Sequence, residues 1–320
     1  MSIRWPIVLA STTVTALTFG GLAAGPADAI VGGVDATESY PWVAQLLVDK
    51  HDPDTGEITG QGHCTGSLLS GSWILTAAHC VSVYPDGSNF QWPEDRPMVA
   101  VGDVMVWIGL PDDHNEDSPE KPEGVAEIYR NPQLDVALLR MNAPSAMKSI
   151  ALSDSAVADN AAIRVLGWGA LCFEPLFGGL ACPGPDPSHT SATFPNKLQQ
   201  LDAQARVYPD QVNQDEVYFG ELGHTVAGGD SGGPVVAKQD GSWRQVGIAV
   251  RSNGSTGEMV GITSVRAWID STMKTAAKPQ PPVSPPHRRD PGTPPSQPAP
   301  PKPGSGSSLP PSGSSSLSKG

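Results

Sequence analysis

From residue 30 onward the chain alternates short apolar runs with clusters of turn residues. Trp42–Val48, Trp73–Thr76, Met105–Ile108, Val136–Leu139, Ile163–Leu166, Pro234–Ala237 and Val246–Val250 each read as a strand, because short runs bounded by Gly, Pro, Asn and Asp fit a pleated element. In residues 201–207, Leu201, Ala203, Ala205 and Val207 alternate with polar neighbours, the period of a half-buried strand. A helical period enters only near the end, where Val265, Trp268, Ile269, Thr272 and Met273 fall on one face. Many short strands and one terminal helix predict an all-β barrel or sandwich. No internal repeat is evident.

The two ends follow other patterns. In residues 1–29, Arg4 precedes an apolar stretch from Ile7 to Leu22 and then Ala27-Asp28-Ala29. This is the layout of a secretory signal with an A-x-A cleavage site. Thr12, Thr13, Thr15 and Thr18 interrupt the stretch, whereas a membrane span needs ~20 mostly apolar residues. The expectation is therefore a secreted, extracellular protein with no stable membrane anchoring. Residues 275–320 are dominated by Pro, Ser and Gly, too poor in apolar side chains to offset the entropy of ordering. A disordered tail is expected there, read first as a solvated segment with no role of its own and second as a spacer or a segment contacting a cell wall or surface through His287-Arg288-Arg289.

Charge narrows the partners. The chain of 320 residues carries a formal −13. The tail is net positive, so the body is more acidic than the whole. Nucleic acid is excluded as a partner, because phosphate binding needs clustered cations. The four cysteines, in an exported chain, read as disulfides.

The chemistry centres on Gly229-Asp230-Ser231-Gly232-Gly233-Pro234. Glycines beside a serine let backbone approach a substrate, and N–H groups around it can converge on a developing oxyanion. A Gly-x-Ser-x-Gly string also occurs at the nucleophile elbow of α/β hydrolases, which place acid and histidine after the serine. Here the only later histidine is His287, in the proline-rich tail. Upstream stand Thr76-Ala77-Ala78-His79-Cys80 and Asp135-Val136-Ala137-Leu138-Leu139, giving the order His, Asp, Ser. With Ile30-Val31-Gly32-Gly33, these blocks resemble the trypsin/chymotrypsin family of serine proteases, in the form of a secreted bacterial-type member, over roughly residues 30–274.

The resemblance implies two six-stranded antiparallel β-barrels, about 30–150 and 151–264, then a C-terminal helix at 265–274. It implies a serine endopeptidase acting on polypeptides, with Ser231 as nucleophile, His79 as base and Asp135 orienting the imidazole. Gly229 and Ser231 would supply the oxyanion hole. The resemblance pairs Cys64 with Cys80, leaving Cys172 and Cys182 to pair in the insertion 171–193. It also implies that Ile30, freed as an amino terminus, pairs with Asp230. Because Ala29 meets Ile30 directly, signal cleavage alone would expose that amine, without a zymogen.

Several positions depart from the family pattern. Ala227 stands where most members have cysteine. The pocket-lining strand reads Val250-Arg251-Ser252 in place of Ser-Trp-Gly, so a hydroxyl that normally supports the catalytic Asp is absent at Val250. Thr225 falls at the pocket floor, where trypsin-like members carry Asp; an uncharged Thr cannot pair a buried cation. Specificity for Lys or Arg is thus not expected, and Arg251 at the rim would favour acidic substrate side chains. No cofactor is expected. The acidic loop 112–117 lies where some members bind calcium, whose hard oxygen ligands it would suit. The family's first ligand position falls on Leu110, which makes a solvated charge run the preferred reading. A zinc site from His63, Cys64 and His79 lacks C-x-x-C spacing. The competing functional classes are a catalytically inactive protease-fold binding module and an interaction protein working through its tail.

Overall fold

A computed structural model describes residues 30–52, 55–83, 97–110, 121–171, 194–208 and 216–276. Expectations for the segment 1–29, Cys172 and Cys182, the loop 112–117 and the tail beyond Ala276 lie outside these residues.

After a short leading strand β1 (Val34–Asp35), six strands close a first barrel: β2 (Val43–His51), β3 (Ile58–Ser70), β4 (Trp73–Thr76), β5 (Val104–Ile108), β6 (Glu123–Arg130) and β7 (Ala137–Met141). Their antiparallel ring runs β2-β3-β4-β7-β6-β5. A two-residue strand β8 (Ala151–Leu152) leads to the second barrel, formed by β9 (Ala162–Gly167), β10 (Gln199–Arg206), β11 (Glu216–Phe219), β12 (Pro234–Gln239), β13 (Ser242–Ser252) and β14 (Gly257–Gly261). Its ring runs β9-β10-β11-β14-β13-β12 and closes through β9 on β10. The remaining two strands are additions to this ring, β1 on β10 and β8 on β13. The single described helix, α1 (Ile262–Ala276), starts three residues before the apolar period suggests. Val265 and Ile269 are its fully buried anchors.

Strand parity divides the apolar side chains between two cores. On β14, Met259 enters a cluster inside the second barrel with Val217, Phe219 and Ala249. Its neighbour Val260 faces the other way, joining Ile248, Val250 and the helix anchors in a cluster continuous with the first barrel. One face of the second barrel is therefore covered by the first, and the segments bearing the motif residues meet along that seam. Ser67 crosses it with a 2.7 Å hydrogen bond to Gln245 Oε1.

Candidate active site

His79 lies in a single 3-10 turn, Ala78–Val81, directly after β4. The turn is fastened by the Cys64–Cys80 disulfide to β3, with a Cα–Cα distance of 6.1 Å and 16 residues of separation. Closing a loop of that length contributes about 3 kcal/mol on a chain-entropy estimate. Asp135 ends the loop before β7. That loop is shaped by Asn131, whose side-chain oxygen accepts the N–H groups of Gln133 and Leu134 at 2.8 and 2.9 Å. An asparagine capping its own following backbone is a common way to fix a tight turn. Asp135 is 3% exposed and accepts twice from His79. The imidazole Nδ1 lies 2.7 Å from Oδ2, and the main-chain N–H donates to Oδ1 at 2.9 Å. An ionised carboxylate at that distance makes Nδ1 the protonated nitrogen, leaving Nε2 as the basic one.

Ser231 is placed by its main chain. Its carbonyl accepts from the Thr65 N–H at 2.9 Å, and the Cys80 sulfur lies 3.5 Å from the same oxygen. Bonded within a disulfide, that sulfur carries no hydrogen, so this is a packing contact beside the residue that follows His79. Next along, Gly232 sits at φ +83°, where a Cβ would lie 2.1 Å from Thr76 Oγ1 and 2.3 Å from the Thr65 carbonyl oxygen. Only glycine tolerates both that backbone angle and that proximity. The serine loop is thus pressed against the β3 and β4 segments that lead into His79.

The carbonyls of this loop are tied back in succession. Gly228 O accepts from Ala170 N at 2.8 Å, Gly229 O from the Thr65 hydroxyl at 2.9 Å, and Asp230 O from Gly233 N at 2.9 Å. Ser231 O is held by Thr65 as above. The N–H groups of Gly229 and Ser231 donate to no protein acceptor among the described residues. Two unused donors flank Asp230 on a loop whose carbonyls are engaged, an arrangement suited to receive a negatively charged oxygen.

Asp230 itself is fully buried. Its carboxylate accepts from Gly169 N and Ala227 N, both at 2.8 Å. A Cβ at Gly169 would lie 2.3 Å from the carboxyl carbon, so glycine there is what admits the carboxylate. Among the described residues no cation accompanies it. Burial pushes its pKa up to about 7, against the two N–H donors, which pull it down. Ile30, also with no exposure, is packed in the second-barrel core. Its φ is +54°, a conformation that a β-branched residue adopts only under strain.

The expected pocket residues occupy β13 and the segment before the serine loop. Thr225 is fully buried, and its main-chain N–H donates to Val31 O at 3.0 Å. Its hydroxyl lies 3.4 Å from that of Ser252, so two neutral hydroxyls face each other there. Val250 occupies a bulge between Ala249 and Arg251 and is buried. Arg251 is not a free cation at a rim, because its guanidinium lies 3.6 Å from a carboxylate oxygen of Glu258.

Glu258 and Thr65 belong to this neighbourhood and were not singled out by sequence reasoning. Glu258 is buried on β14, with Oε1 lacking a hydrogen-bond partner. Burial raises its pKa to about 7, opposed by Arg251 and assisted by Glu216 and, more weakly, by Asp135. An acid between Gly257 and Met259 reads as a solvated surface residue, and only the covering of that face by the first barrel makes it otherwise.

Cys64, His79 and Cys80 bring ligand-type atoms within 4.8 Å of one another. The two sulfurs are bonded to each other, so neither offers the thiolate that a metal centre of this type requires. The cluster is a disulfide packed beside a histidine. Among the described residues, no helix is long and apolar enough to cross a membrane.

A family model described as trypsin matches residues 30–269. Trypsin-3 of Salmo salar is similar at 26% identity over 266 residues, covering 78% of this chain and 94% of that protein.

Proposed function

Since the chain belongs to the trypsin family, we propose that it is a secreted serine endopeptidase, hydrolysing peptide bonds through an acyl-enzyme. The observation that carries this reading is the His79–Asp135 pair, with its 2.7 Å contact at Nδ1, on a turn whose Cys80 packs against a serine loop with two unused N–H donors. In the proposed reaction, Nε2 of His79 removes the Ser231 hydroxyl proton as Oγ attacks the scissile carbonyl carbon. The carbonyl oxygen becomes an oxyanion, accepting from Gly229 N–H and Ser231 N–H. Collapse breaks the C–N bond, and His79 returns the proton to the leaving amine. Water then repeats the sequence on the acyl-enzyme, restoring Ser231 and releasing the acid. Each oxyanion donor of this type is worth about 10²–10³ in turnover.

Two further features of the reading concern export and specificity. Removal of a leader before Ile30 eliminates the strained φ at that residue, since a terminal residue has no preceding carbonyl carbon. The new amine would then supply the cation that buried Asp230 lacks. The neutral Thr225–Ser252 pair favours cleavage after uncharged residues over Lys or Arg.

A catalytically inactive protease-fold binding module is the second reading. It is favoured by the described side-chain geometry, which ties together two of the three expected catalytic residues. A fluorophosphonate probe separates the two, because stoichiometric labelling requires an activated serine. The expected result is one label per chain on Ser231, absent in Ser231→Ala and reduced to near background in His79→Ala. An unlabelled, folded wild-type chain would leave the binding module as the better account.

A further inference from the structure

Thr65 has no exposure to solvent, yet every polar group it carries is used. Its hydroxyl donates to Gly229 O at 2.9 Å and accepts from Trp168 N at 3.0 Å. Its main-chain N–H donates to Ser231 O at 2.9 Å, and its carbonyl accepts from the Thr76 hydroxyl at 2.8 Å. The partners come from three places in the chain: the serine loop, the segment after β9, and the strand leading into His79. Four hydrogen bonds therefore converge on one residue of β3, at the seam between the barrels.

The two bonds to the serine loop straddle Asp230. One fixes the carbonyl of Gly229 and the other that of Ser231, so the intervening peptides cannot rotate without breaking a buried bond. Each oxygen shares its peptide plane with the N–H that follows it, so the two bonds hold the planes on either side of the Asp230–Ser231 peptide, which carries the Ser231 N–H, and the plane adjoining the one that carries the Gly229 N–H. We propose that the Thr65 hydroxyl is a positioning residue for the oxyanion site, clamping the Gly229–Ser231 backbone of the second barrel to the first. The proposal rests on the serine-protease reading for its catalytic consequence, though the clamp itself does not.

The chemistry demands threonine's particular combination. A hydroxyl is needed to donate to one buried group while accepting from another, and a methyl fills the space toward Gly233, whose Cβ position lies 3.3 Å from the Thr65 Cγ2. Thr65→Val keeps the shape and removes the donor and acceptor, leaving Gly229 O and Trp168 N–H buried without partners. Thr65→Ser keeps the hydroxyl and loses only the methyl. The two variants thus separate hydrogen bonding from packing.

The test compares wild type, Thr65→Val and Thr65→Ser in steady-state hydrolysis of a peptide anilide and in amide exchange of the serine loop. Thr65→Val is expected to lower kcat by roughly 10- to 100-fold, less than outright loss of an oxyanion donor, with KM changed by less than about threefold. Thr65→Ser should recover most of kcat. In parallel, the Asp230 and Gly233 amides, which donate to Ala227 O and Asp230 O and not to Thr65, should exchange faster in Thr65→Val and not in Thr65→Ser. Unchanged kcat in a folded Thr65→Val chain, or equal losses in both variants, would overturn the proposal. If the valine chain does not fold, Thr65→Ala, which leaves room for water, is read by the same criteria. If wild type neither cleaves nor accepts a fluorophosphonate, the serine-protease reading fails. The exchange comparison then still decides the clamp, and equal exchange in all three chains sinks it.

Discussion

An uncut chain and a chain beginning at Ile30 should respond to pH with different profiles. Asp230 is buried with no cation beside it among the described residues, and its folded pKa of about 7 stands above an ordinary 3.8. A difference of about three units corresponds to roughly 4 kcal/mol. A raised carboxyl pKa means the folded state holds its proton more tightly than the unfolded state. Stability therefore falls as pH rises from about 4 to about 7 and is level beyond, where both states are ionised. In the cut chain a terminal amine beside Asp230 reverses this. The amine's folded pKa would lie above its unfolded 7.7–8.0, so the pair's contribution is complete below that range and lost as pH climbs through the folded value. The assay is urea unfolding between pH 4 and pH 9 of two Ser231→Ala chains, one starting at Ile30 and one retaining residues 25–29. Apart from Asp28 and the α-amine of Gly25, which titrates above the pH 4–7 window that decides the comparison, every other titrating group is common to both and cancels in the difference. The stability gap should widen by several kcal/mol from pH 4 to pH 7 in favour of the Ile30 chain. Parallel profiles would show that the amine never reaches Asp230.

Two other outcomes follow from the same neighbourhood. Cleavage-site profiling on a peptide library should show preference for uncharged residues before the scissile bond, since Thr225 and Ser252 offer hydroxyls and no carboxylate; a profile dominated by Lys and Arg would refute this pocket assignment. Glu258, raised to about 7 by burial, should cost the fold stability as pH rises from about 4.5 to about 7, so Glu258→Gln should gain on wild type across that window, and a constant difference in melting temperature from pH 4 to pH 8 would contradict it.

The strands legible in the sequence are those with short apolar runs, such as β4 and β7, or with clean alternation, such as β10. Those not legible break the pattern for physical reasons. β3 contains Gly60, Gly62 and Gly66 and exposes Ile58, yet Gly66 is where Ile74 and Leu46 close in, with a Cβ there 2.8 Å from Ile74 Cγ2. β6 loses its alternation at a bulge between Val125 and Glu127. β14 offers no apolar run, because Gly257, which makes room for the Phe219 ring, and Glu258 open it. The His79, Asp135 and Ser231 blocks were legible because each is a local string. Thr65 was not, because its hydroxyl acts on a residue 164 positions away and nothing beside it in sequence signals that partner.

Val250 shows how a departure from a family pattern changes meaning once partners are known. A missing hydroxyl there was expected to leave Asp135 less firmly held. In the structure, both Asp135 oxygens are engaged by one residue, Oδ1 by the main-chain N–H of His79 and Oδ2 by its ring. The main-chain bond fixes the carboxylate relative to the turn that carries the imidazole, so orienting the ring needs no third donor. Charge-assisted bonds of this kind are roughly twice as strong as neutral ones, and 3% exposure keeps water from competing. The loop behind Asp135 is braced separately, by Asn131 N–H donating to Val136 O at 2.8 Å. Val250 instead contributes apolar surface to the cluster shared by the two barrels, with Val136 and Val260. Its burial strengthens the seam on which the His79 and Ser231 segments depend for alignment. The cost of losing a hydroxyl at this position falls on Asp135's hydrogen-bond count and not on its orientation.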